Sequence, residues 1–129
     1  MPNESVKHIA PVFKDERGVI TNIIDQDDIR HVAFISSKAG CVRANHYHPV
    51  QWQYVYILRG SYESYSKDLR NAHAKMEKIV VRAGDLVTTA PMIAHAMKFL
   101  EETEFLNITT GSRDAANFGE HTIKHKLID

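Results

Sequence analysis

His46 and His48 stand two residues apart in the run Gly40-Cys-Val-Arg-Ala-Asn-His-Tyr-His-Pro-Val-Gln-Trp-Gln-Tyr-Val-Tyr-Ile-Leu-Arg-Gly60. Successive side chains of a strand point to opposite faces, so both imidazoles share one face. Pro49 ends that strand, and a second β-rich run follows from Gln53 to Leu58. Antiparallel pairing of the two runs would set His48 opposite Gln53, His46 opposite Val55 and Ala44 opposite Ile57. Two imidazoles and one amide oxygen then reach a common point. A third histidine, His95, follows Pro91 and shares a face with Met97 and Phe99, an otherwise apolar row. Imidazole suits zinc, copper, iron and nickel, and an amide oxygen completes a mixed nitrogen and oxygen set. The residues therefore predict a divalent metal site built from His46, His48, Gln53 and His95. The competing reading is a set of hydrogen-bonded interior histidines without metal.

The elements that must hold these side chains read as short strands. Alternation marks 8–13, 19–24, 29–37, 61–66, 76–81, 86–89, 95–100 and 104–110, besides the two runs above. Residues 1–7 read as a loose start, Lys14 to Gly18 and Asp25 to Asp28 as polar turns, and 67–74 as loop. Gly40 and Gly60 bracket the central pair, where turns need unusual backbone angles. Many short strands with turn residues between them predict an all-β sandwich or barrel in a single domain, 1–129, with its core at about 8–110. The segment 111–129 reads as a C-terminal tail that wraps the barrel mouth or a partner subunit. His121 and His125 read as solvated tail histidines, and His8, His31 and His73 likewise.

Composition narrows the partners. Sixteen basic and sixteen acidic residues cancel, which points away from nucleic-acid and membrane surfaces. No apolar run approaches the roughly 20 residues of a membrane helix, and Met-Pro-Asn-Glu-Ser is not a signal-peptide start. The single cysteine, Cys41, excludes an internal disulfide, fits a reducing cytoplasm and reads as structural. Tyr47, Trp52, Tyr54 and Tyr56 form an aromatic row, expected on an outer face that pairs two copies into a homodimer.

The spacing Gly40, five residues, His46-Tyr-His48, four residues, Gln53, six residues, Gly60 resembles the first cupin motif, G-x5-H-x-H-x3-4-E-x6-G. Gly84 to His95, with Pro91 between, resembles the second. Membership implies a jelly-roll β-barrel of antiparallel strands. Gln53 stands where the motif has glutamate, so the site would keep the ion's full charge, which either weakens metal binding or favours an anionic ligand or substrate. Phe99 stands where it has asparagine.

Finer likeness points within that superfamily. Arg43-Ala44-Asn45-His46-Tyr47-His48 is similar to the R-G-L-H-Y-Q stretch of the dTDP-4-dehydrorhamnose 3,5-epimerases. Phe13 to Gly18 resembles their F-x-D-x-R-G, Asp68-Leu69-Arg70 their D-L-R, and Ala94-His95-Ala96 their A-H-G. The 4-keto-6-deoxyhexose ketoisomerases carry a similar R-G-G-H-A-H. The resemblance implies His46 as proton-abstracting base and Arg17 and Arg43 as contacts to a nucleotide-sugar, whose diphosphate suits guanidinium forks. The epimerases have lysine where this chain has Gln53, and their catalytic tyrosine has no clear counterpart, Phe105 and Phe118 occurring instead. His46 as metal ligand and His46 as free base exclude each other, and the sequence favours the ligand role. In regular alternation Arg43 faces away from His46, so a direct contact needs a bulge or a neighbouring subunit.

The expected function is a metal-binding cupin, holding zinc, nickel, manganese or iron, that shuttles a proton beside a carbonyl of a sugar or nucleotide-sugar. A non-catalytic sugar or sugar-acid binding cupin and an iron-dependent dioxygenase of a small substrate are the alternatives.

Overall fold

The computed structural model describes residues 2–25, 28–111 and 121–129. Its strands are β1 (Glu4–His8), β2 (Phe13–Asp15), β3 (Gly18–Ile20), β4 (His31–Ser37), β5 (Val42–Tyr47) and β6 (Gln53–Arg59). They continue as β7 (Ser61–Asp68), β8 (Glu77–Arg82), β9 (Asp85–Thr89), β10 (Ile93–Phe99), β11 (Thr103–Thr109) and β12 (Ile123–Lys124). Two five-stranded antiparallel sheets face each other, in the orders β1-β9-β6-β11-β4 and β12-β5-β10-β7-β8, and β2 and β3 form a separate hairpin. This is the jelly roll expected from the motifs. Part of the polar turn at 25–28, and Phe118, lie outside the described residues.

Three expectations change. The loose start contains β1, which pairs with β9 from Glu4↔Thr89 to His8↔Asp85. The segment His8 to Phe13, read as a strand, instead connects β1 to β2. Most important for the site, β5 and β6 do not pair. They belong to opposite sheets, because the turn at Pro49 carries the chain across the sandwich instead of folding it back on itself. Gln53 lies beside Thr89 and Thr109, while His46 lies beside His95. The ligands still converge, but through the interior between the sheets.

The interior is divided along the strands. One end is apolar, packed from Val55, Ile57, Tyr62, Val81, Val87, Met97, Phe99 and Phe105. Phe99 stacks on Phe105 with centroids 5.9 Å apart, and Tyr62 leans on Phe99 at 5.4 Å. At the other end the same inward rows carry Glu4, Thr89, Gln53 and Thr109 from one sheet, and Ser64, Ser66 and His95 from the other, all buried. Buried polar groups are costly unless bonded, and this layer is bonded: the hydroxyls of Ser64 and Thr89 both donate to the Glu4 carboxyl.

Candidate metal and sugar site

The histidines meet at the polar end. Nitrogen atoms of His46, His48 and His95 all lie within 4.8 Å of one another. The ring of His46 sits 4.7 Å from each of the others, edge-on to both. His48 and His95 are buried and His46 is partly open. Gln53 reaches in from the opposite sheet, its amide nitrogen 3.4 Å from Nε2 of His95.

Two rings are oriented from behind. Nδ1 of His48 is 2.8 Å from the carbonyl oxygen of His121, and Nδ1 of His95 is 3.3 Å from that of Ile93. A carbonyl oxygen only accepts, so each Nδ1 carries the proton and each Nε2 bears the lone pair. Metal-binding histidines are held in this way by an outer carbonyl. The three imidazoles therefore fit a divalent ion, and Gln53 would join them by turning its oxygen to where its nitrogen now faces His95. The set is neutral throughout.

His121 departs from its expected role. It is buried, its carbonyl serves His48, and its Nδ1 lies 2.8 Å from the Thr122 hydroxyl. The tail enters the site because β12 adds to the free edge of β5, with Ile123↔Tyr47 and Lys124↔His46. Nothing in a two-residue strand flagged this in the sequence. His125 packs its ring 6.1 Å from that of Tyr47. Of the outlying histidines, His8 pairs with Asp85 at 2.9 Å, away from the cluster.

Against His46 and His95 lies a cavity of about 280 Å³, whose walls include Ile35, Phe105, Asn107, Met97 and Gln53. Arg43 lines it as well. The condition set by strand alternation is met by a bulge: pairing with β10 runs His46↔His95 and then Ala44↔Ala96, passing over Asn45. Ala44 and Asn45 have φ of 70° and 54°. Beyond the bulge Arg43 stands opposite the inward Met97. Its guanidinium bonds Ser37 Oγ at 2.6 Å and the Ser36 carbonyl at 3.0 Å. A second hollow of about 410 Å³, formed by Ser36, Ser37, Lys38, Cys41 and Glu102, shares Arg43 with the first. Arg17 is elsewhere. It lies on the β2–β3 hairpin, its side chain 80% exposed and paired with Asp15 at 2.7 Å. There it lowers the Asp15 pKa through their hydrogen bonds.

A jelly roll carrying a histidine triad between its sheets is the cupin fold. More narrowly, residues 13–112 match the family of the polysaccharide biosynthesis C-terminal domain, to which the chain belongs. No curated protein matches it at a significant level. Among solved structures it is similar to the rmlC epimerase of Mycobacterium tuberculosis, with a TM-score of 0.77 at 16% identity over 98% of this chain and 69% of that one. It is also similar to QdtA, a sugar 3,4-ketoisomerase from Thermoanaerobacterium thermosaccharolyticum crystallised with TDP, with a TM-score of 0.74 at 18% identity over 95% and 88% of the two chains. The dTDP-4-dehydrorhamnose 3,5-epimerase from Sulfolobus tokodaii gives 0.69 at 18% identity over 88% and 70%. At such identities the likeness shows a shared fold.

Proposed function

We propose that the chain is a metal-binding sugar isomerase or epimerase that moves a proton beside a carbonyl of a nucleotide-linked sugar. The observation that carries this reading is the convergence of three imidazoles and one amide, two of the imidazoles and the amide opening on a cavity with a guanidinium in its wall. Among the described residues lining that cavity, only the imidazoles are of a type that exchanges protons near neutrality. At about 280 Å³ it lies at the lower end for small-molecule sites, so it takes one sugar ring. The nucleotide's diphosphate would lie outward, in the hollow of about 410 Å³ that Arg43 also faces. Lewis acidity at the sugar's carbonyl oxygen is what a divalent ion held there would supply. His48 and His95 keep their lone pairs inward, Arg43 holds the anionic part, and the apolar wall of Ile35, Met97 and Phe105 excludes water.

A second reading is favoured by the openness of His46 compared with its two buried partners. In it the site is metal-free and His46 itself takes the proton. Support for both readings comes from the fold shared with dTDP-sugar epimerases and ketoisomerases. The outer face of the β4–β11–β6–β9 sheet aligns Phe34, Leu106, Tyr56 and Leu86 in one row and Val32, Ile108 and Tyr54 in the next. Tyr54 and Ile108 are already buried within the chain, whereas Phe34 and Val32 on β4 are 59% and 58% exposed, and a second copy of this chain is the proposed cover of that edge.

Elemental analysis of untagged protein and of His48→Ala tests the metal. Near-stoichiometric metal, lost in the variant, is the expected result. Iron accompanied by oxygen consumption would move the reading to a dioxygenase. A metal-free wild type that exchanges solvent deuterium into a dTDP-4-keto-6-deoxyhexose would instead give His46 the base role. Tight binding of that sugar without exchange would leave a binding protein.

A further inference from the structure

A strand presents its residues by parity, and β5 changes parity once. Had β5 run regularly from His46↔His95, Asn45 would meet Ala96, Ala44 would meet Met97 and Arg43 would meet Lys98. Lys98 is exposed and Met97 buried, so Arg43 would then lie on the outer face. One unpaired residue, Asn45, moves Arg43 opposite Met97 and turns it to the inner face, where its side chain, still exposed to solvent, stands at the rim shared by the two hollows.

Asn45 is suited to this place. Asparagine is one of the few residues with a side chain that visit the left-handed region readily, whereas β-branched residues are strained there. Its side chain also holds the C-terminal segment. Oδ1 accepts from the Leu127 and Ile128 amides at 2.8 and 3.2 Å, and Nδ2 donates to the Ile128 carbonyl at 3.0 Å. Its own carbonyl accepts from the His125 amide at 2.8 Å. The segment clasped in this way is the one whose His121 carbonyl orients His48.

We propose that Asn45 is the positioning residue of the site, its left-handed bulge turning Arg43 to the rim of the cavity and its side chain seating the segment 121–129 behind His48. The role of Arg43 toward a ligand rests on the nucleotide-sugar reading; its direction does not.

The test is a double-mutant cycle read by urea unfolding. Arg43→Ala is made in wild type, in Asn45→Gly and in Asn45→Val. Loss of the bonds to Ser37 and Ser36 should lower the folded-to-unfolded ratio by about five-fold in wild type, less than two buried charge-assisted bonds because the Ser36 bond is exposed to solvent and the Ser37 bond only partly buried. Asn45→Gly loses the clasp but keeps the bulge, so the same five-fold cost should reappear. In Asn45→Val the bulge is disfavoured, Arg43 already points out, and Arg43→Ala should cost nothing. An undiminished cost in Asn45→Val, or no cost in wild type, overturns the proposal. If Asn45→Val fails to fold, Asn45→Ala, less strained, replaces it. Titration of the same proteins with thymidine diphosphate separates the two ideas. Wild type that ignores thymidine diphosphate while the cycle shows coupling removes the nucleotide-sugar reading and leaves the positioning role standing.

Discussion

Nδ1 of His48 donates to the carbonyl oxygen of His121 across 2.8 Å of space and 73 residues of chain. A group far from the histidine motif thus decides which nitrogen of His48 faces its neighbours. The Thr122 hydroxyl stands 3.3 Å from the same nitrogen, so the oxygen environment behind the ring is doubled.

The neutral donor set gives the first prediction. Gln53→Glu places a carboxylate beside His95, where the amide is now 3.4 Å away. Divalent-ion affinity, measured by competition with a chelator, should rise about ten-fold, because charge on the ligands strengthens binding to a hard cation. Unchanged affinity would place Gln53 outside the ligand set.

Arg43→Ala should weaken thymidine diphosphate binding by roughly ten-fold to a hundred-fold in calorimetry, the value of a charge-assisted hydrogen bond. Arg17→Ala should leave that affinity within about two-fold, since Arg17 is occupied by Asp15 on a separate hairpin. Equal losses would mean that the hairpin reaches the ligand.

Glu4 predicts a pH dependence. Burial raises its pKa above the ordinary 4.5, outweighing the lowering by its hydrogen bonds to Ser64 and Thr89. The folded protein therefore holds that proton more tightly than the unfolded chain. The contribution is complete below the unfolded value and is lost as pH rises through the higher folded one. Urea unfolding between about pH 4 and 8 should show wild type losing stability relative to Glu4→Gln as pH increases. Parallel curves would refute this.

Gly60→Ala should cost about 2 kcal/mol or more in the same assay. Gly60 has φ of +96°, and an added Cβ would lie 2.7 Å from the Thr103 Cα, a backbone atom that cannot swing aside.

Phe34→Glu should convert a dimer into monomers in sedimentation, because it charges the most exposed end of the apolar row, on the edge strand β4. A wild type that sediments as a monomer would remove the second copy as cover.

Much of this was legible in the sequence, for a physical reason. Strand alternation put His46 with His48 and His95 with Met97 on inward faces, and that survives any choice of partner strand. Which strands pair is a different kind of information. Consecutive strands usually neighbour each other, so β5 and β6 were expected to form a hairpin, yet nothing local distinguishes a hairpin turn from a crossing between sheets. The aromatic row was split for the same reason: Tyr54 and Tyr56 share the outer face of β6, but Tyr47 lies in the other sheet. β1 contains a single aliphatic residue, Val6, and carried no usable period. The burial of His121 depends on a strand too short to be read.

The bulge in β5 also limits how residue roles pass between relatives. An alignment counts positions, but a cavity reads odd from even. A relative with the same arginine three residues before its first histidine, and a regular strand between them, would carry that charge on its outer surface. In this fold, one skipped residue decides whether an aligned arginine is a cavity residue or a surface one.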